Sequence, residues 1–375
     1  MRALAADTLG ELLVVTTRLD GVVTRRTLLA AVGGGVPALL AGCAAAPPTA
    51  PPAERSASAV PEPQPERPPP EKSRPGPFTL RLMSWNVMTQ GLGPDWYDAS
   101  MPAEDHLWQT RAPRVRQWLR ATDADIVCFQ EGLGTRDADG RPSNLMVGMV
   151  PDRGWANIDH FLPIMFRTSL LELAGQGVVE IYPGSGSSPW QRYCTWARLR
   201  HRSTGRELVV FNTHLQPFQT PEIARIRSAT VSRLIATMRD ADPGYRLPAV
   251  LAGDFNARDA ERRPVYVDHL RKLAADGWRD TRDVAARDRS EVAGASTHNQ
   301  FGARAGGTWR YRLISTSGKN IDYLWVRDGA RVLDRQTYTG PGVRWLTVAG
   351  QRRPFFADGP VPSDHCPVLA RVRFS

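Results

Sequence analysis

Six short stretches of this sequence carry acids, amides or histidines at the end of an apolar run or just beyond it. They are Asn86, Glu131, His214, Asp254 with Asn256, Asp322, and Asp364 with His365. Strand ends are where a rigid scaffold brings side chains together. Taken singly, each has a plainer reading: Asn86 as a turn former, Asp254 as a cap, His214 as a hydrogen-bonded core histidine. Taken jointly they supply oxygen ligands suited to a hard cation, and two histidines able to exchange protons or donate to a phosphate oxygen. Zinc would be better served by more histidine and cysteine, so Mg2+ or Mn2+ is the cofactor expected.

The elements that must position these residues alternate between strand and helix. Thr79 to Val87, Asp125 to Gln130, Pro248 to Ala252 and Asn320 to Val326 read as strands, and Cys366 to Phe374 as one whose Val368, Ala370, Val372 and Phe374 point inward. Tyr193 to Arg200 and Glu207 to Asn212 flank Ser203-Thr204-Gly205, a hairpin signal. Leu107 to Arg120 and the run Ile223, Ile226, Thr230, Leu234, Met238 follow a helical spacing. Strands and helices mixed in this way fit two packed sheets covered by helices. No repeat at solenoid spacing is present.

Ser84-Trp85-Asn86-Val87, Asp125 to Glu131, Asn212-Thr213-His214-Leu215, Gly253-Asp254-Phe255-Asn256, Ile321-Asp322-Tyr323 and Ser363-Asp364-His365 resemble, in order, the motif set of the exonuclease/endonuclease/phosphatase superfamily. The resemblance implies a deoxyribonuclease I-like α/β (α+β) fold, a four-layer αββα sandwich with its site at one edge of two sheets. It implies Glu131 as the principal metal ligand, aided by Asn86 and Asp364. Asp254 would orient or deprotonate the attacking water, and Asn256 would bind a non-bridging phosphate oxygen. His365, held by Asp322, and His214 would stabilise the pentavalent phosphorus and manage protons. A phosphodiester repels an anionic nucleophile, so positive charge and donors must surround the phosphorus while one carboxylate aims the water. Met88 stands where some members place an acid, and His160, beside Asp159, where many have Glu; neither is assigned a role.

The substrate is less legible. Gly302 to Arg312 interleaves Arg304, Arg310 and Arg312 with Trp309 and Tyr311. This is either a substrate-binding loop that grips phosphates and stacks a base, or a solvated loop whose aromatics pack back on the domain. The formal charge of +10 favours anionic partners. All but three of the 48 basic residues are arginine, a bias that a GC-rich genome produces whatever the ligand. An extracellular nuclease is the first expectation. A sphingomyelinase-like phosphodiesterase or inositol-phosphate phosphatase is the alternative, though no exposed apolar hairpin is evident for it. A catalytically silent binding protein is third, opposed by the retention of every core ionisable residue. A monomer is expected.

The leading residues set the compartment. Arg25-Arg26 precedes an uncharged run, Ala30 to Gly42, too short to span a bilayer comfortably. The pair resembles a bacterial twin-arginine export signal, and Leu40-Ala41-Gly42-Cys43 a lipobox. Residues 1–43 are therefore expected to direct export, with acylated Cys43 anchoring the protein to the outer face of the cell membrane. The acidic, long stretch before Thr24 predicts a start downstream of Met1. Residues 44–77 hold 12 prolines and cannot bury enough apolar surface to fold. They would tether the domain, residues 78–375, up to roughly 100 Å from the lipid. The remaining cysteines, Cys128, Cys194 and Cys366, are odd in number and imply no disulfide framework. Cys128 is expected to be a small core residue.

Overall fold

The computed structural model describes residues 76–88, 101–136, 142–144, 155–158, 162–257, 264–357 and 359–375. Cys43, the export signal, the tether before residue 76, Asp159 and His160 lie outside the described residues. In chain order the strands are β1 (Phe78–Asn86), β2 (Ile126–Gln130), β3 (Leu133–Arg136), β4 (Pro142–Asn144), β5 (Trp155–Ile158), β6 (Ile164–Arg167), β7 (Leu171–Tyr182), β8 (Arg192–His201), β9 (Glu207–His214) and β10 (Ala249–Asp254). They continue with β11 (Arg279–Asp280), β12 (Gly302–Ala305), β13 (Thr308–Tyr311), β14 (Asp322–Val326), β15 (Ala330–Thr337), β16 (Val343–Val348), β17 (Gln351–Phe356) and β18 (Val368–Phe374). The helices are α1 (Trp108–Thr122), α2 (Pro221–Ala241), α3 (Pro264–Ala275) and α4 (Thr281–Val284). No helix among the described residues is long and apolar enough to cross a membrane.

Two six-stranded sheets, ordered β15-β18-β1-β2-β6-β5 and β11-β14-β10-β9-β8-β7, pack face to face. Side-chain alternation sorts residues into three cores. Leu80, Leu82, Ile126 and Cys128 of the first sheet meet Leu208, Val210, Val250 and Ala252 of the second. Met83, Trp85, Val127 and Phe129 point the other way, onto Val115 and Trp118 of α1. Val209, Phe211 and Leu251 turn out of the second sheet onto Val231 and Leu234 of α2 and Leu270 and Leu273 of α3. Strands buried on both faces read as near-continuous apolar runs, which is why they were visible in the sequence. Helix, sheet, sheet, helix is the four-layer sandwich expected.

Helix α2 begins cleanly because Thr220 caps it, its hydroxyl accepting from Ile223 N at 3.2 Å, with Pro221 in the first turn. Periodicity did not anticipate β7, a half-exposed edge strand interrupted by Gly175 and Gly177, nor the β15, β16 and β17 strands. One expectation is corrected here. The β16–β17 hairpin exposes Trp345 and Leu346 by nearly half, so an exposed apolar hairpin does exist. Its strand carries apolar residues on the solvent side, which alternation alone cannot distinguish from a buried face. Cys128, Cys194 and Cys366 are free and buried, and desolvation holds each thiol high.

Candidate active site

Strand direction gathers the polar residues. β1 and β2 run parallel, pairing Asn86 with Gln130, and Glu131 follows directly. β9 and β10 also run parallel and end together, His214 beside Asp254. Antiparallel β14 begins where β10 ends, so Asp322 lies opposite Asp254. Antiparallel β18 sits on the other side of β1, which leaves the preceding Asp364 and His365 at the same rim. Gly253 permits this close approach, since a side chain there would meet Thr213 O at 2.6 Å.

Buried polar residues lock the rim. Gln130 Nε2 donates to Asn212 Oδ1 at 2.8 Å across the two sheets, and Asn212 Nδ2 returns a bond to Phe129 O at 2.7 Å. Arg111, fully buried on α1, donates to Val87 O, Met88 O and Pro362 O, at 2.8, 3.0 and 2.7 Å. One guanidinium thus ties the Asn86 segment to the Asp364 segment. Trp85 Nε1 donates to His365 O at 3.0 Å, and Ser363 Oγ to Asn86 O at 2.7 Å.

Within the rim Asp254, Asp322, His214 and His365 are all buried. His365 Nδ1 faces both Asp322 oxygens, while its Nε2 lies 3.9 Å from Asp254 Oδ2. Burial alone would lower the pKa of His365. The carboxylates of Asp322, Asp364 and Asp254 outweigh it and hold the imidazole well above its ordinary value. His214 is held well below its ordinary value by desolvation, then by the charges of Arg192 and His365. The surroundings thus favour the charged form of His365 and the neutral form of His214. Neutral His214 accepts at Nε2 from Asn256 Nδ2 at 3.1 Å, which leaves its proton on Nδ1, 4.0 Å from Glu131 Oε1. Asp254 is pushed up to about 7, first by burial and then by Asp322. It accepts from Asn256 N at 2.8 Å and from Asn86 Nδ2 at 3.1 Å.

The expected metal set is brought together with one difference. Glu131 and Asp364 line the pocket with carboxylate oxygens. Asn86 turns its Nδ2 to Glu131 Oε1 at 3.0 Å and to Asp254 Oδ2, while its Oδ1 accepts from Met88 N at 2.9 Å. It bridges two carboxylates as a donor rather than offering them an oxygen neighbour. Asn256 likewise commits both amide protons, to His214 Nε2 and to Leu215 O at 3.0 Å, so a phosphate oxygen would have to displace one of these. Ligand atoms of His298, Asp364 and His365 lie within 4.8 Å of one another, as do those of Asp254, Asp322 and His365, although the carboxylates that favour a protonated His365 work against its serving as a ligand. Burial holds Asp364 and Asp254 above the ordinary carboxylate range, a cost that a hard divalent cation would relieve. The donor set fits such an ion.

The rim opens into a pocket of about 740 Å³. Ten described non-glycine residues have positive φ, and six of them, Met88, Glu131, Phe218, Asn256, Gln300 and Phe301, line it. Backbone strain concentrated in this way marks a site whose geometry the surrounding fold imposes. The three arginines expected to contact substrate are a correction: none lines the pocket. Their segment closes on itself as the β12–β13 hairpin. There Arg310 is exposed, Arg304 Nη1 reaches back towards Gly307 O at 3.5 Å, and Arg312 Nη2 donates to Phe356 O and Ala357 O. Tyr311 packs inward, its hydroxyl on Asp105 Oδ2 at 2.7 Å.

Sequence reasoning missed Arg192, which lines the pocket and is 7 % exposed. Its Nε is buried with no hydrogen-bond partner, and the carboxylates of Asp254 and Glu131 act on it only electrostatically. An unpartnered buried guanidinium facing a pocket fits an anion. The only sequence signal was its place at the start of a strand neighbouring β9. His298, Trp190 and Phe218, also pocket residues, sit outside every motif.

Over 208 residues the chain is 26% identical to nocturnin of Drosophila melanogaster, covering 51% of this chain and 30% of that protein. With human nocturnin the identity is 22% over 257 residues, covering 66% and 55%. The chain spans less than two thirds of either curated relative. An endonuclease/exonuclease/phosphatase family protein from Bacteroides thetaiotaomicron superposes with a TM-score of 0.57 at 20% identity, covering 80% of this chain and 99% of that one. A mannosyl-6-phosphatase of the same species gives 0.55 at 19% identity, covering 78% and 99%. At these identities the likeness is one of fold. A family model described as the Endonuclease/Exonuclease/phosphatase family matches residues 83–365, most of the sequence and every motif described above, and the chain therefore belongs to that family.

Proposed function

We propose that this protein is a divalent-metal-dependent phosphodiesterase acting on phosphate esters, nucleic acid among them. The observation that carries the reading is the cluster in which Asp254 Oδ2 lies 3.5 Å from His214 Nε2 and 3.9 Å from His365 Nε2, inside a pocket. Asp254, poised near neutrality, takes a proton from water as that oxygen attacks phosphorus. His365 Nε2–H, kept charged by Asp322, faces the developing charge and protonates the departing oxygen as the phosphorus–oxygen bond breaks. Arg192 receives a non-bridging oxygen. Glu131 and Asp364 would hold Mg2+ or Mn2+, which would neutralise phosphate charge there.

The net charge of +10 supports a nucleic-acid substrate, although the arginine hairpin no longer does. Plasmid DNA, RNA, sphingomyelin and inositol phosphates, each with Mg2+ and with chelator, test the reading. Hydrolysis of lipid alone rejects the nuclease, and turnover indifferent to chelator rejects the metal. A second reading, a lipid phosphodiesterase, is favoured by the exposed Trp345 and Leu346 with Arg352 over the Trp345 ring at 5.2 Å. Export and anchoring through acylated Cys43 complete the proposal and suit either substrate.

A further inference from the structure

One wall of the pocket is aromatic and unaccounted for by any catalytic role. Trp190 and Phe218 line it, their rings 6.1 Å apart and tilted by 40°. They are 50% and 47% exposed, so their rings are open to a ligand in the pocket.

The fold goes to some cost to place Phe218 there. Its φ is +73°, a left-handed conformation that a bulky residue adopts only when its surroundings dictate it. The agent is Arg227, fully buried on α2. It donates to Gln216 O at 3.0 Å, to Phe218 O at 2.7 Å and to Gln219 Oε1 at 3.0 Å. Gln219 Nε2 in turn donates to Asn256 O, so the loop is tied to the catalytic rim. A strained backbone held by a buried guanidinium presents an aromatic ring to solvent.

Trp190 stands two residues before Arg192, so their Cα atoms are at most about 7 Å apart. A phosphate on Arg192 thus leaves any ring joined to it through a sugar within reach of the pair. The rings lie too close and too tilted to sandwich a second ring between them, and so they act as a one-sided platform. The polar groups beside them are already engaged. Gln191 Nε2 donates to Glu180 Oε2 at 3.0 Å while its Oε1 accepts from the Tyr193 hydroxyl at 2.8 Å, and both ends of the Gln219 amide are occupied. A polyhydroxylated ring would find few partners there, whereas a flat π-face needs none.

We propose that Trp190 and Phe218 form a stacking platform for the base of a nucleoside phosphate ester, either a free nucleotide or the end of a single strand. The proposal rests on the phosphoesterase reading in that Arg192 receives the phosphate.

Equilibrium binding to the cation-loaded protein tests it without requiring turnover. Adenosine monophosphate should bind more tightly than ribose 5-phosphate, on the order of five- to a hundredfold. Trp190→Ala and Phe218→Ala should shrink that ratio towards one while leaving ribose 5-phosphate affinity in place, and Trp190→Phe should restore most of it. A phosphorylated single-stranded tetranucleotide binding no more tightly than the mononucleotide identifies the free nucleotide as the source; tighter binding identifies the strand end. Either outcome supports the platform. Equal affinities for the two monophosphates, no measurable binding of either, or a ratio unchanged in both alanine variants overturns it. A wild-type protein that discriminates the base yet hydrolyses no ester defeats the phosphoesterase reading and leaves the platform standing.

Discussion

His365 Nδ1 lies 2.9 Å from Asp322 Oδ2 and 3.0 Å from Asp322 Oδ1, with the carboxylate wholly shielded from solvent. The pair fixes the ring so that Nε2 faces the pocket, and it supplies the largest of the charges that keep the imidazole protonated.

Asp322→Asn keeps the shape and removes that charge. The His365 pKa then falls, so its charged form is lost at lower pH. The expected result is a drop in kcat of roughly 10²- to 10⁴-fold, with the alkaline limb of the pH–rate profile moved towards neutrality. An alkaline limb that stays put would show that His365 does not titrate there.

Asp254 is held at about 7 against an ordinary 3.8. A carboxyl whose folded pKa is raised favours the folded state below the unfolded value and loses that contribution as pH rises through the folded one. Metal-free wild-type protein should therefore lose melting temperature between about pH 4 and pH 7 relative to Asp254→Asn. Turnover in the variant should be abolished. Parallel melting curves across that range would contradict the assignment.

Cation binding must displace protons from the same rim. Burial raises the pKa of Asp364 and pushes that of Asp254 up to about 7, so Mg2+ or Mn2+ affinity should tighten as pH rises towards 7. Calorimetry in two buffers of different ionisation enthalpy would register the released protons. Affinity independent of pH would place the ion elsewhere.

Arg192→Met removes a buried charge whose Nε has no hydrogen-bond partner. KM for a hydrolysed ester should rise roughly 10- to 100-fold, since a charge-assisted hydrogen bond contributes about 1.5–3 kcal/mol. The melting temperature should be no lower than that of the parent. A destabilised variant with unchanged KM would make Arg192 structural.

Cys43→Ser should move the protein from the membrane fraction to the soluble one. Retention on the membrane would remove the lipobox reading.

How much of this was readable in advance follows from the physics of each element. β2, β9, β10 and β14, with the second half of β1, are buried on both faces, so their apolar runs announced themselves; β1, β2, β9 and β10 end, and β14 begins, in a polar residue that had no place in a core. Chemistry-bearing types at strand ends, six times in order, named the family and most of the rim: Glu131, His214, Asp254, Asp322, Asp364 and His365. The half-exposed β7 and the solvent-facing β16–β17 hairpin were hidden, because their patterns match neither period cleanly.

Residue types and their order along the chain determined the sandwich, the family and the motif residues, with a donor set that fits a hard cation. Tertiary structure alone decided that Asn86 Nδ2 faces Glu131 and Asp254, and that the surroundings of the two rim histidines push their pKa values in opposite directions. It also decided that the arginines of residues 304–312 turn away while Arg192 faces the pocket. These depend on burial and on neighbours more than a hundred residues distant in several cases, such as Trp85 on His365, and no local pattern carries such long-range information.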